Sequence, residues 1–108
     1  MEAIYPDGRV EILNRTKNFH FNWSVNYVYD PDVAPVLPKG TVIHIRSVQD
    51  NTSANKNNPD PRQWVTGGAR TVDEMSQANT QIVYLTQQDY DEIVAERAAK
   101  AKRQTQNQ

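Results

Sequence analysis

The residues of this chain best suited to chemistry lie close together. Gly67 to Leu85 reads GGARTVDEMSQANTQIVYL and places Asp73, Glu74 and Met75 in consecutive positions. A thioether is a soft, neutral donor, and a soft sulfur delivered at the start of a rigid strand suits copper. Met75 is therefore the candidate metal ligand. The only other methionine is Met1, and a lone methionine is by default a core-filling side chain. Two imidazoles, His20 and His44, would make a two-histidine metal site if their segments paired in the right register. A surface histidine is the default for each. The stretch Asp50 to Pro61, DNTSANKNNPDP, has too few acidic residues at the wrong spacing for a helix-loop-helix calcium site. Its Asn and Asp side chains are suited instead to local backbone hydrogen bonds. No nucleophile-base-acid set and no phosphate loop supports an unrelated enzyme chemistry.

Short strands and turns must position these groups. Met1 to Leu13 reads as a hairpin about the turn Pro6-Asp7-Gly8. Phe19, Phe21, Trp23, Val25, Tyr27 and Tyr29 share one parity, opposite His20, Asn22, Ser24 and Asn26. That alternation predicts an aromatic-faced strand covering a core on one side. A stacking platform for single-stranded nucleic acid would need a basic groove beside it, which the sequence does not supply. Asp30 to Gly40 is a proline-rich connection into a strand over Thr41–Val48. Gly67-Gly68 marks a tight turn or a close backbone approach, and Ile82 to Leu85 a strand buried on both faces. From Thr86 the period changes: Thr86 and Asp89 resemble a capping box. Tyr90, Ile93, Val94 and Arg97 form one helical stripe. The organisation expected is a β domain over 1–86, a helix over 87–102 and a tail over 103–108.

With 108 residues, 37% of them hydrophobic, the chain supports one domain with a modest core. Its mean hydropathy is -0.81, and much of the polar excess follows Ala95. A net charge of -1 with scattered basic residues gives no general attraction to nucleic acid. No apolar run is long enough to span a membrane, and no signal peptide is recognised. Zero cysteines exclude disulfides and thiolate metal sites. Three Asn-x-Ser/Thr triplets, at Asn14, Asn22 and Asn51, are expected by chance in so Asn- and Thr-rich a sequence.

Three pieces, in order, resemble the C-terminal domain of the copper type II, ascorbate-dependent monooxygenases. That family includes the peptidylglycine α-hydroxylating and dopamine β-hydroxylating enzymes, and the likeness is nearest to its bacterial branch. The pieces are Phe21-Asn22-Trp23 with its aromatic strand, Leu37-Pro38-Lys39-Gly40-Thr41 followed by Asp50-Asn51, and Asn58-Pro59-Asp60-Pro61 leading into Gly67-Gly68-Ala69-Arg70-Thr71-Val72-Asp73-Glu74-Met75. Thr-x-Asp-Glu-Met is the most specific element. The resemblance covers Met1 to about Leu85 and leaves out the helix and tail.

The resemblance implies an all-β, jelly-roll-type antiparallel β-sandwich, here partial, followed by one C-terminal helix. It implies that Met75 is a ligand to the substrate-side copper, with Asp73 and Glu74 in supporting or turn-forming roles rather than catalytic ones. The implied reaction inserts one oxygen atom of O2 into a C–H bond, with a reductant supplying electrons. It also implies an exported, periplasmic or secreted parent protein. The family's substrate-side copper further needs a His-x-His pair, and this sequence has none. His20 and His44 do not match its positions. The expectation is thus a truncated domain, inactive alone, that needs an upstream part of a parent protein. The alternative is a copper-free module that binds a protein partner or forms a homo-oligomer through exposed strand edges.

Overall fold

The hairpin forms as the turn chemistry dictates. In the computed structural model, which describes residues 1–20, 22 and 25–106, β1 (Glu2–Ile4) pairs antiparallel with β2 (Val10–Ile12). Gly8 takes φ +86°, a region costly to any residue with a Cβ. Its N–H donates to the Tyr5 carbonyl at 2.9 Å, and the Tyr5 N–H closes the turn on the Arg9 carbonyl at 2.8 Å. The Asp7 carboxylate accepts from the Arg9 N–H at 2.9 Å. At the open end, the amino terminus donates to the Asn14 carbonyl at 2.8 Å.

A third strand, β3 (Val42–His44), adds to the other edge of β1, so the sheet order is β2-β1-β3, antiparallel throughout. Gly40 turns the chain into it at φ +92°, and a Cβ there would lie 3.4 Å from Pro6 Cγ. Thr41 donates its backbone N–H and its hydroxyl to the Pro38 carbonyl. The register puts Ala3 beside Glu11 and Ile43 on one face. On the other face it aligns the rows Ile12-Glu2-His44 and Val10-Ile4-Val42. Ala3 is 0% and Tyr5 8% exposed, and they are the only buried apolar side chains among the described residues. Val10, Ile12 and Val42 on the opposite face stay exposed.

The helix α1 (Gln87–Gln106) opens on the expected capping box. The Asp89 N–H donates to Thr86 Oγ1 at 3.1 Å, and the Thr86 N–H donates to Asp89 Oδ2 at 3.2 Å. The helix continues through 103–106, the residues assigned above to a tail. It contains no buried residue, and Tyr90, Ile93 and Arg97 are its half-buried stripe. Arg97 holds it: Nη1 donates to the Ala34 carbonyl at 2.7 Å and Nη2 to the Pro31 carbonyl at 2.9 Å. Lys100 lies 3.7 Å from Asp32 and 3.0 Å from Glu96. No helix among the described residues is long and apolar enough to cross a membrane.

The chain divides into two compact units, one of Met1–His44 with Gln81–Gln108 and one of Ile45–Thr80. The second contains no named strand or helix and is built from side-chain-to-backbone turns. Thr52 donates both N–H and hydroxyl to Asp50 Oδ1, at 2.9 and 2.7 Å. Asn55 Nδ2 donates to the Asp50 carbonyl and Asn58 Nδ2 to the Asn51 carbonyl, both at 2.7 Å. The Asp50–Pro61 stretch is the Asn- and Asp-knit loop its composition predicts.

The expected jelly-roll sandwich is not what forms. The described residues make a single three-stranded antiparallel layer of three-residue strands with one C-terminal helix. A sandwich requires two sheets whose inward faces share a core, and among the described residues of 19–29 and 82–85 none has a ladder partner. Of the aromatic stretch, Phe21, Trp23 and Ser24 lie outside the described residues. Phe19, Val25, Tyr27 and Tyr29 are in no strand and are exposed. Phe19, Val25 and Tyr27 with Thr16 border only a cleft of ≈ 40 Å³. The strand expected over Thr41–Val48 ends at His44, and Ile82, Val83, Tyr84 and Leu85 are exposed coil rather than a strand buried on both faces. Alternation alone cannot stabilise a strand, because its hydrogen bonds and burial both come from another segment.

Candidate functional site

The Gly67–Met75 motif folds into a closed turn. Gly67 bridges Glu74 in parallel. The Gly68 N–H donates to the Glu74 carbonyl at 3.3 Å, and the Glu74 N–H donates to the Thr66 carbonyl at 3.1 Å. Inside the turn the Asp73 N–H reaches the Arg70 carbonyl at 2.9 Å. The Asp73 carboxylate accepts the Arg70 N–H at 3.0 Å, Nε at 3.0 and 3.2 Å, and Nη2 at 2.8 Å. This charge-assisted fork leaves Asp73 only 9% exposed in its side chain. Hydrogen bonds from Arg70, first from its side chain and then from its backbone, hold the Asp73 carboxyl below its ordinary value. The same contact raises Arg70.

The paired glycines serve the close approach expected of them. A Cβ on Gly68 would lie 2.3 Å from Asp73 Oδ2 and 2.8 Å from its Cγ. The second side of the turn is tied to the Asn-rich loop: Asn51 Nδ2 donates to Glu74 Oε1, and Gln49 Nε2 donates to the Met75 carbonyl at 3.3 Å. Both carboxylates are thereby engaged in shaping the turn. Met75 follows with its carbonyl anchored by Gln49 and is 47% exposed.

The two histidines are placed differently. His44 stands opposite Glu2 in the β1–β3 register, and its Nδ1 is 2.7 Å from Glu2 Oε1. His20 lies in no strand. Among the described residues no group of three or more His, Asp or Glu is arranged to hold a metal ion. The donor set thus fits one soft ligand, Met75, and not a complete copper site.

Three residues of this unit carried only weak signals. Arg70 and Asp73 are three apart, a spacing that permits an ion pair in a tight turn, but nothing local says that Nε and Nη2 will both be used. Trp64 has no periodic context. It is 98% exposed.

Comparison of the chain with family models, curated proteins and solved structures gives no match.

Proposed function

We propose that this chain is the C-terminal part of a copper-dependent monooxygenase domain, to which it contributes Met75 as one soft copper ligand. The observation that carries the reading is the closed Gly67–Met75 turn. Its glycines, ion pair and backbone bridge fix the polypeptide and leave one thioether exposed. The residue-level resemblance of the Gly67–Met75 and Leu37–Thr41 segments supports it independently. When bound, copper supplies the dioxygen chemistry that inserts one oxygen atom into a C–H bond with electrons from a reductant. The protein's part is to offer a neutral sulfur, which favours Cu(I), from a turn held by its own hydrogen bonds and ion pair. The imidazoles come from another polypeptide segment, so the chain by itself is inactive.

Anaerobic Cu(I) titration followed by X-ray absorption at the copper edge tests this reading. With excess imidazole supplied to stand in for the absent histidines, the expected result is a copper–sulfur shell that Met75→Ile abolishes and that His20→Ala and His44→Ala leave in place. A shell without sulfur, or one that survives Met75→Ile, sinks the reading.

A second reading is a copper-free module for protein binding or self-assembly. It is favoured by the two edges β2 and β3 and by exposed Val10 and Val42 flanking half-buried Ile4 on one face. Light scattering then gives an oligomer that Val42→Lys dissociates, since an edge lysine opposes strand addition. A monomeric unmodified chain removes self-assembly.

A further inference from the structure

The helix α1 docks through one side, where Tyr90, Ile93 and Arg97 are half-buried. At about 3.6 residues per turn, Asp91, Glu92, Ala95, Ala99, Lys102 and Arg103 fall on the opposite side, and all of them are exposed. That outward face is acidic at its N-terminal end, carries alanine at its middle and is basic at its C-terminal end.

These charges do not satisfy one another within one chain. Helical side chains three or four positions apart are neighbours, and at those positions Asp91 and Glu92 have no base, and Lys102 and Arg103 no acid. Asp91 and Glu92 accept hydrogen bonds from the neutral amides of Gln87 and Gln88, at 2.9 Å each. Lys102 and Arg103 enter no ion pair among the described residues. The helix macrodipole favours acids in the first turn and bases in the last and fades beyond them. It accounts for Asp89 and Arg103, but not for Glu92 and Lys102.

The face is symmetric about position 97. Ala95 and Ala99 are each two residues from it, Glu92 and Lys102 five, and Asp91 and Arg103 six. A second helix laid antiparallel on this face sets Asp91 against Arg103, Glu92 against Lys102 and Ala95 against Ala99, each contact occurring twice. Methyl side chains at the centre let the two backbones come close enough for the flanking charges to meet.

We infer that α1 pairs antiparallel with α1 of a second copy of this chain through this outward face. Charge complementarity selects the occupant, because the surface carries both signs in the order that its own two-fold copy matches. Between Asp91 and Arg103 the face is only about 18 Å long. The association is therefore weak and salt-sensitive. It uses neither a strand edge nor copper.

Analytical ultracentrifugation of the metal-free full chain tests it. At low ionic strength the parent should self-associate with a Kd of about a millimolar or tighter, weakening about threefold or more in roughly molar salt. Lys102→Glu with Arg103→Glu, and separately Asp91→Lys with Glu92→Lys, should each weaken self-association about tenfold or more. An equimolar mixture of these two variants should restore it, which also shows that both are folded. Val42→Lys should leave it unchanged, which separates this contact from strand addition. Orientation is read with a nitroxide on Gln106→Cys, the chain having no other cysteine. Mixed with an isotope-labelled unmodified chain, it should broaden the first turn of α1, around Gln88, more than the last. A monomer at millimolar concentration, indifference to either charge reversal, an unrestored mixture, or broadening greatest in the last turn would each overturn the inference. Because no metal is present, its failure leaves the copper reading untouched.

Discussion

Gly68→Ala reaches the Met75 turn with the smallest possible change. The new methyl carbon would sit 2.3 Å from Asp73 Oδ2, whereas ordinary contact begins at 3.4 Å, so the carboxylate must retreat by about 1.1 Å. Asp73 Cγ, at 2.8 Å, blocks a simple rotation in place. The Arg70 contacts to that carboxylate now span 2.8–3.2 Å. A further 1 Å takes most of them beyond hydrogen-bonding distance. The consequence appears in titration. Asp73 is depressed because the Arg70 hydrogen bonds favour its charged form. A carboxyl depressed in the folded state stabilises above its unfolded pKa, and that contribution is lost as pH falls through the folded value. In the variant the carboxyl should rise back toward the ordinary range, so the turn loosens at higher pH than in the parent. Carbon-detected NMR of the Asp73 carboxyl, read alongside the Arg70 Nε–H resonance, measures both. An Asp73 titration unmoved from the parent, with the Arg70 Nε–H still shifted and protected, would refute the steric argument. If Met75 is a copper ligand as proposed, Cu(I) binding should weaken together with the fork, since Met75 lies two residues beyond Asp73.

Elsewhere, Arg97→Ala removes two charged hydrogen bonds to the Ala34 and Pro31 carbonyls. Allowing for partial exposure, this costs about 1–2 kcal/mol. A helix of this length is marginal without docking, so hydrogen exchange in α1 should quicken by roughly tenfold; unchanged protection would mean that Arg97 does not hold the helix. Thr86→Ala deletes the capping oxygen for Asp89 and should cost about 1 kcal/mol. Thr86→Ser should restore most of the lost helicity by circular dichroism. Tyr5→Phe removes the hydroxyl that donates to Glu11, the chief cause of the raised Tyr5 pKa. Thermal melts should show a loss of about 1 kcal/mol, and a melt coincident with the parent would mark that contact as dispensable.

The features legible in the sequence are those whose causes lie within a few residues. Pro6-Asp7-Gly8 makes its hairpin turn because Gly8 alone there tolerates a positive φ and the Asp7 carboxylate accepts the Arg9 N–H. Thr86 and Asp89 cap each other across one helical turn. The Asn- and Asp-rich loop satisfies its backbone with its own side chains. The Gly67-Gly68 pair announces a close approach, and Asp73 fills the space.

Features that depend on distant residues were not legible. The aromatic parity at 19–29 and the apolar run at 82–85 look like strands, but a strand exists only where another segment completes its hydrogen bonds and covers its face. Three-residue ladders between β1, β2 and β3 are the pairing that occurs among the described residues. Tertiary structure likewise decided that His44 meets Glu2 across the sheet and that Arg97 reaches back to Pro31 and Ala34. It also left Trp64 in the open. The sequence by itself determined the turns, the cap and the sulfur that follows the closed Gly67–Met75 turn, because these rest on local sterics and short-range hydrogen bonds. Which surfaces are covered was decided only by the fold, because burial belongs to pairs of segments and not to either one alone.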